Sequence, residues 1–480
     1  MARAALQGMG TRGGRRWAAL ALLCVAQFVD VLGVTIVIVA LPAIGRDLGL
    51  AEQDLHWVAS IYALCFGGFL LLAGRAADLY GRRRLFAGGL AVCTVASLAC
   101  GLAGSPAVLV GARALQGLGA AVAVPAALSL LTTTFPDGPE RTRALGVWTA
   151  AAAGGGVTGF FLGGVLTGTL GWHWVFWVNV PVGVLGLALT PVLLVERRDQ
   201  AAARRLDVVG AITGTTGLVL LVYGFTRAGE AGFAAARTLG TLALAAALLA
   251  GFWLVEGRMA DPIVPHGVLR SRELVGANLA AFTLTAVTSP AGVLGTLYLQ
   301  EALGYPPTAT GLALLPFSLA AVAGSFIGAW LTAKLRARAT MAWGMVTVIT
   351  AMLVLSRIPT RGQGGLPWLM TGVVLAGLGL TCASVAATAT ATGTAAAAGD
   401  AQGLASGLLN TAAQIGTALG IAALVTVAAR TSALTGASDP TPAQLVNGFR
   451  LAFLVAALVA FLGALATLLL VRRRGGVERA

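Results

Sequence analysis

The sequence predicts an all-α polytopic membrane protein, and three observations carry that prediction. The chain of 480 residues is 58% hydrophobic and 10% charged, with a mean hydropathy of +0.87, which leaves too few polar side chains to clothe a water-soluble surface of this size. Apolar runs recur along the chain between short polar breaks, and many reach the roughly 20 residues that cross a hydrocarbon core of about 30 Å. Basic residues fall between the runs rather than in one patch. A lipid-exposed barrel would need alternating strands of about ten residues, and no such alternation is present. Backbone groups in lipid must be satisfied within their own segment, so the runs read as helices. The 65 glycines suit helices that pack backbone to backbone.

Fourteen spans are expected, at about 17–44, 56–74, 85–104, 107–132, 143–169, 174–195, 207–226, 237–255, 275–299, 309–333, 339–357, 366–393, 402–428 and 449–471. The first is preceded by Arg3, Arg12, Arg15 and Arg16 and imitates a signal peptide, but its apolar run continues to about Ile44. A cleavable signal has an apolar core of about 7–15 residues, so this segment reads as a retained span. An even number of spans puts both termini on one side, and that side holds 24 of the 32 basic residues. By the positive-inside rule it is cytoplasmic. Heavy use of Arg over Lys, with abundant Ala and Gly, points to a high-GC bacterial gene and hence to the bacterial cytoplasmic membrane.

Two cytoplasmic linkers, 195–207 and 256–273, bracket spans 7 and 8. They divide the chain into a six-helix bundle over 1–195, linkers with two inserted helices over 196–272, and a second six-helix bundle over 273–480. Two equal bundles are what a transporter built from repeats about an axis along the membrane normal would show.

Several functions are excluded or disfavoured. The net charge of +14 is dispersed, whereas a nucleic-acid partner needs a continuous basic patch. Cys24, Cys65, Cys93, Cys100 and Cys382 all lie in apolar runs and read as small packing residues, not as disulfides or a metal site. The single lysine, Lys334, follows Ala333, so the Gly-Lys-Ser/Thr of an ATP-hydrolysing P-loop is absent. His56, His173 and His266 form no zinc-protease pair. An enzyme is not expected, nor any metal or organic cofactor.

Polar groups inside spans carry the functional expectation, because they are costly in lipid. Asp30 is the one carboxylate well inside a span, and at about 1.5 Å per residue it lies roughly 20 Å beyond Trp17. Keeping a carboxylate ionised there is costly, so it is suited to exchange a proton; a structural ion pair is the other reading. Arg113 is the one basic residue deep in a span and the natural partner. Gln27 and Gln116 lie one turn from Asp30 and Arg113 on the same helix faces and either line a polar cavity or bridge helices. In span 5, Gly155, Gly159 and Gly163, followed by Gly164, make a smooth helix face for close contact. Gly154, Gly156 and Gly159 match the dinucleotide fingerprint only formally, since no strand precedes them and position 179 is Asn179. In span 13, Gly403, Gly407, Asn410, Gln414 and Gly416 form a second polar face, read as packing, with Asn410 and Gln414 as alternative substrate contacts.

The stretch Gly74-Arg75-Ala76-Ala77-Asp78-Leu79-Tyr80-Gly81-Arg82-Arg83-Arg84 reads as a charged turn between spans 2 and 3. It resembles the loop 2–3 signature of the major facilitator superfamily, with Leu79 where a basic residue is frequent. Arg113-Ala114-Leu115-Gln116-Gly117-Leu118-Gly119 resembles that family's span 4 motif linked to proton coupling. The glycine run of span 5 is similar to its antiporter signature, with Phe160 in the proline position. Residues 32–44, 172–181, 298–316 and 403–420 resemble the fourteen-span drug:proton antiporter branch, so the likeness covers essentially the whole chain. The span 1 aspartate of that branch falls at Gly33 and its asparagine at Ile38, and Asp30 stands three residues earlier.

The resemblance implies the major facilitator fold and a monomeric exporter that exchanges protons for drugs or similar amphipathic molecules by alternating access across a lipid bilayer. An endogenous metabolite is the alternative cargo, and a membrane sensor the alternative class. It further implies proton coupling through Arg113; that Asp30, nearly one turn before Gly33, serves as the coupling acid is read from its own position in span 1 and not from the resemblance. The resemblance also implies a cytoplasmic gate at Gly74, Asp78, Gly81, Arg82 and Arg83. There Asp78 would latch onto a helix N-terminus, and the arginines also serve as positive-inside charge.

Overall fold

The structure is a computed structural model that describes residues 12–50, 52–135, 139–194, 208–231, 235–258, 271–359, 365–397, 402–433 and 441–471. Among these residues every regular element is a helix. The first half contributes α1 (Arg12–Leu48), α2 (Glu52–Tyr80), α3 (Arg82–Gly101), α4 (Pro106–Thr134), α5 (Pro139–Thr169), the short α6 (His173–Trp177) and α7 (Asn179–Leu193). Then come α8 (Val208–Ala231) and α9 (Ala236–Glu256). The second half contributes α10 (Arg272–Leu297), α11 (Pro307–Leu335), α12 (Ala337–Leu355), α13 (Gly365–Ala397), α14 (Gln402–Ala433) and α15 (Pro442–Leu470). Among the described residues 12 segments are long and apolar enough to cross a membrane, α6 and α7 counting as one. Shorter apolar stretches, Trp57–Leu70 in α2 and Ile212–Phe225 in α8, stand where the second and seventh spans are expected.

One expected loop is helical. α2 runs on to Tyr80 and α3 begins at Arg82, so the turn between them is Gly81 alone. Arginine and alanine are good helix formers, and nothing in 74–80 stops the helix. Gly81 stops it, with φ 101, a conformation that a Cβ makes costly. The branch signature at Tyr298-Leu299-Gln300 also has a specific form, a π turn over Tyr298–Ala302 that closes α10.

The helices cluster into two compact units: residues 1–51, 69–206 and 306–312 in the first, and 52–68, 207–305 and 313–480 in the second. In unit 1, charged and aromatic groups gather at one end. Arg15 Nη2 donates to the Val192 carbonyl (2.9 Å) and Arg83 Nη1 to that of Leu194 (3.3 Å). Both satisfy carbonyls left open at the C-terminus of α7, where cations are favoured. The Arg143 guanidinium sits 5.3 Å over the Trp17 ring, which meets Phe135 edge-on. At the other end Trp172 Nε1 donates to Asp47 Oδ2 (2.8 Å). In unit 2, α8 packs Leu218 and Val219 against Ala63 and Leu64 of α2 and Ala418 and Ala422 of α14. Thr215 Oγ1 donates to the Gly68 carbonyl (2.8 Å).

An internal repeat is visible in how glycines seat the helices. A Cβ on Gly89 of α3 would strike the Gly119 carbonyl and the Ala123 nitrogen of α4, each at 2.6 Å. One on Gly344 of α12 would strike the Gly379 carbonyl and the Ala383 nitrogen of α13, each at 2.7 Å. Likewise Gly155 of α5 abuts the Phe28 carbonyl of α1, and Gly416 of α14 abuts the Phe282 carbonyl of α10. Without a hydrophobic force between helices in lipid, such close backbone approach supplies much of the packing energy. The same register carries the Gly81 turn onto Arg336, which has φ 77.

That pair gives a test of the repeat. A side chain at positive φ costs about 1–3 kcal/mol. Gly81→Ala is therefore expected to lower the thermal midpoint of the detergent-solubilised protein, and Arg336→Gly to raise it. Movement of both in the same direction would show that backbone strain does not govern these turns.

Candidate functional site

Three of the polar groups expected inside spans, Asp30, Arg113 and Gln116, lie near one another in unit 1. α4 carries Arg113 and Gln116 one turn apart, and both are buried, with 1% and 6% of their surfaces exposed. Arg113 Nη1 donates to Gln116 Oε1 (2.7 Å), a charge-assisted bond. Gln116 Nε2 in turn donates to the hydroxyl oxygen of Ser97 on α3 (2.8 Å), itself 1% exposed. The Cys93 thiol, one turn before Ser97, reaches the Gln116 backbone carbonyl (3.4 Å). Asp30 of α1 is half-buried, and Cys93 lies within electrostatic reach of both Asp30 and Arg113.

The helix crossings explain why these groups meet. Gly89 and Gly119 bring α3 and α4 into backbone contact, so a side chain as short as serine can reach across. On the other side of α1, Gly155 faces the Phe28 carbonyl, Gly159 the Thr35 hydroxyl and Gly163 the Ile36 carbonyl. Asp30 is thus carried on the segment of α1 that the glycine face of α5 holds. Gly164 turns to a different neighbour. A Cβ there would lie 2.6 Å from the Pro307 carbonyl at the start of α11, and Thr308 Oγ1 donates to the Gly164 carbonyl (3.2 Å).

The remaining expected residues are placed as follows. Gln27 lies one turn before Asp30, and its Oε1 is buried with no hydrogen-bond partner among the described residues. Gly33, where the branch aspartate would fall, is buried, yet a Cβ there would meet no atom within 4 Å. Asn410 and Gln414 are half-buried in α14. Gln414 packs its Cβ on Gly67 of α2, whereas Gly416 faces α10. Residues two apart on a helix point nearly opposite ways, so Gln414 and Gly416 do not share the single face expected from the sequence. In the gate motif, Gly81 caps α3 and Arg82 and Arg83 begin it. Gly74 and Asp78 fall in the last turns of α2, and their side chains lie outside the described residues.

The repeat register shows what sets this cluster apart. Asp30 lies two residues beyond Phe28, and two beyond Phe282 is Leu284. Arg113 and Gln116 lie six and three residues before Gly119, and the same steps before Gly379 reach Val373 and Ala376. Ser97, eight beyond Gly89, corresponds to Met352. All four counterparts are buried apolar residues. At these four positions unit 2 buries apolar side chains where unit 1 carries polar ones.

A family model described as Major Facilitator Superfamily matches residues 23–295 and 274–480. The chain belongs to this superfamily. It is a multi-pass membrane transporter of small molecules and not an enzyme. It is 40% identical over 380 residues to a puromycin resistance protein of Streptomyces alboniger, covering 78% of this chain and 74% of that one. It is 43% identical over 329 residues to a cephamycin export protein of Amycolatopsis lactamdurans, covering 68% of each. A solved peptide transporter in complex with sulfate shares the fold, with a TM-score of 0.67 at 19% identity over 93% of each chain. The transporter's helical architecture agrees with the sequence expectation. Ser97 is the member of the cluster that sequence reading missed.

Proposed function

We propose that this transporter exports antibiotics or similar amphipathic small molecules from the cell in exchange for protons, by alternating access. The observation that carries the reading is the Asp30, Arg113 and Gln116 cluster, present in one repeat and replaced by Leu284, Val373 and Ala376 in the other. A packing role would not require charge in only one repeat, whereas a site that exchanges a proton does. The resistance and export proteins among its relatives support the cargo class.

In this reading Asp30 takes a proton from the outside, and the change in its charge is tied to substrate binding or release. Arg113, held by Gln116, sets how readily Asp30 gives the proton up. No organic cofactor or metal takes part; the coupling ion is H+. The chain works as a monomer in the bacterial cytoplasmic membrane with both termini inside, an orientation supported by Arg15, Arg83 and Arg143 at one end of unit 1. Functionally it divides into bundles 1–195 and 273–480, with 196–272 inserted between them. At the cytoplasmic mouth Asp78, between Gly74 and Gly81, latches one state, and Arg82 and Arg83 anchor the loop.

Inverted membrane vesicles holding the transporter, under an imposed inside-acid pH gradient, test this directly. Addition of a panel including puromycin, a cephamycin and amphipathic cations is expected to collapse the gradient for some members, and an empty-vector membrane to show no such collapse. A panel accumulated equally well after the gradient is dissipated would reject proton coupling. A second reading, export of a compound the cell itself makes, is favoured by the relative named for cephamycin export. It predicts that loss of the gene raises the intracellular level of that product.

A further inference from the structure

We propose that Ser97 is a positioning residue of the coupling site: its hydroxyl fixes the Gln116 amide in the one orientation that holds the Arg113 guanidinium. The inference rests on the proton-coupled reading above and extends it to a residue on a third helix.

The chemistry of the three side chains allows one arrangement. A guanidinium only donates hydrogen bonds, so Arg113 must meet the oxygen of the Gln116 amide, and it does so at 2.7 Å. The amide nitrogen then points the other way, into a region where Gln116 is 6% exposed, and a buried donor needs an acceptor. Ser97 Oγ is that acceptor at 2.8 Å. With the amide reversed, two donors would face each other at the Arg113 contact.

α3 is built to present this group. Gly89, Cys93 and Ser97 follow at four-residue spacing and so line one face. Gly89 seats the α4 backbone, Cys93 takes the Gln116 carbonyl, and Ser97 takes its side chain. Gln116 is therefore held at both backbone and amide. Packing does not demand a serine there, because a buried Met352 fills the equivalent position in unit 2, where the counterparts of Arg113 and Gln116 are the buried Val373 and Ala376.

Among the described residues, these titratable groups act at this chain. Asp30 comes from α1, and Cys93 and Cys100 come from α3. The stretches 150–169 of α5 and 179–193 of α7, both packed on α1, contain no titratable side chain, whereas α6, packed on α1 and α3, carries His173. A shift in proton binding is assigned to Asp30 by its absence in Asp30→Asn, which leaves His173 and the cysteines in place.

The test needs no substrate. The thermal midpoint of the purified, detergent-solubilised transporter is measured against pH for the parent, Asp30→Asn, Ser97→Ala, Ser97→Thr and Gln116→Leu. A group that binds a proton differently in the folded and unfolded states leaves a step in such a profile, and Asp30→Asn identifies the step that belongs to Asp30. Gln116→Leu, which removes the bond to the Arg113 guanidinium, is expected to displace that step by about one pH unit, and Ser97→Ala, which removes the neutral bond behind it, to displace it in the same direction by less. Ser97→Thr, which keeps the hydroxyl, is expected to leave it in place. A Ser97→Ala protein whose midpoint falls equally at every pH, with the step unmoved, would make the serine merely structural and overturn the proposal. An unchanged profile in Asp30→Asn would instead overturn the proton-coupled reading, and this inference with it.

Discussion

Asp30→Asn is expected to abolish accumulation against a substrate gradient while leaving the protein folded and inserted. If one proton is exchanged per substrate, a pH gradient of one unit, worth about 1.4 kcal/mol, sustains about tenfold accumulation. The amide keeps the size of the side chain but cannot cycle between charged and neutral forms, so the accumulation ratio should fall to unity. Exchange of labelled for unlabelled substrate, which needs no proton cycle, should persist. The measurement is reconstitution into proteoliposomes with and without an imposed pH gradient. Undiminished uphill transport by Asp30→Asn would remove the carboxylate from the mechanism. Gly33 offers a converse check, because a Cβ there meets no atom within 4 Å and the branch aspartate falls at that place. Asp30→Asn combined with Gly33→Asp is expected to regain part of the gradient-driven transport, the acid now standing nearly one turn further along α1.

The fold was legible because hydropathy over 480 residues leaves only one kind of solvent for most of the chain. Asp30 and Arg113 were legible for the same reason, since a charge inside a span stands out against apolar neighbours. Gln116 followed from its position one turn from Arg113. Ser97 did not, because a serine in a helix usually bonds to its own preceding turn and nothing local distinguishes it from Ser60 or Ser129. Its role depends on the close crossing of α3 and α4 at Gly89 and Gly119, which is a tertiary fact. The signal was nonetheless in the sequence, in the comparison of repeats that sets Ser97 against Met352. The charged turn at 74–84 was misjudged in the opposite sense. Its charge suggested a loop, but Arg and Ala favour helix, and only Gly81 breaks it.

Gly155→Ala is expected to cost both stability and coupling, whereas Gly416→Ala should cost stability alone. A Cβ on Gly155 collides with the Phe28 carbonyl, and one on Gly416 with the Phe282 carbonyl. Neither obstacle is the tip of a flexible side chain, so the helices must separate, at the roughly 1–3 kcal/mol typical of overpacking. The two insults are equal in packing but unequal in what they displace. Phe28 lies two residues from Asp30, so moving the α1 backbone moves the carboxylate relative to Arg113. Phe282 lies two residues from Leu284, which has no charge to misplace. Thermal midpoints of both variants should therefore fall together, while the ratio of gradient-driven transport to gradient-free exchange should collapse only in Gly155→Ala. Gly33→Ala, with open space around its Cβ, should change neither quantity and controls for the added methyl group in α1. An equal loss of that ratio in Gly416→Ala would mean that the conformational cycle of both repeats sets the coupling, and that the charged cluster of unit 1 is not where the proton is handled.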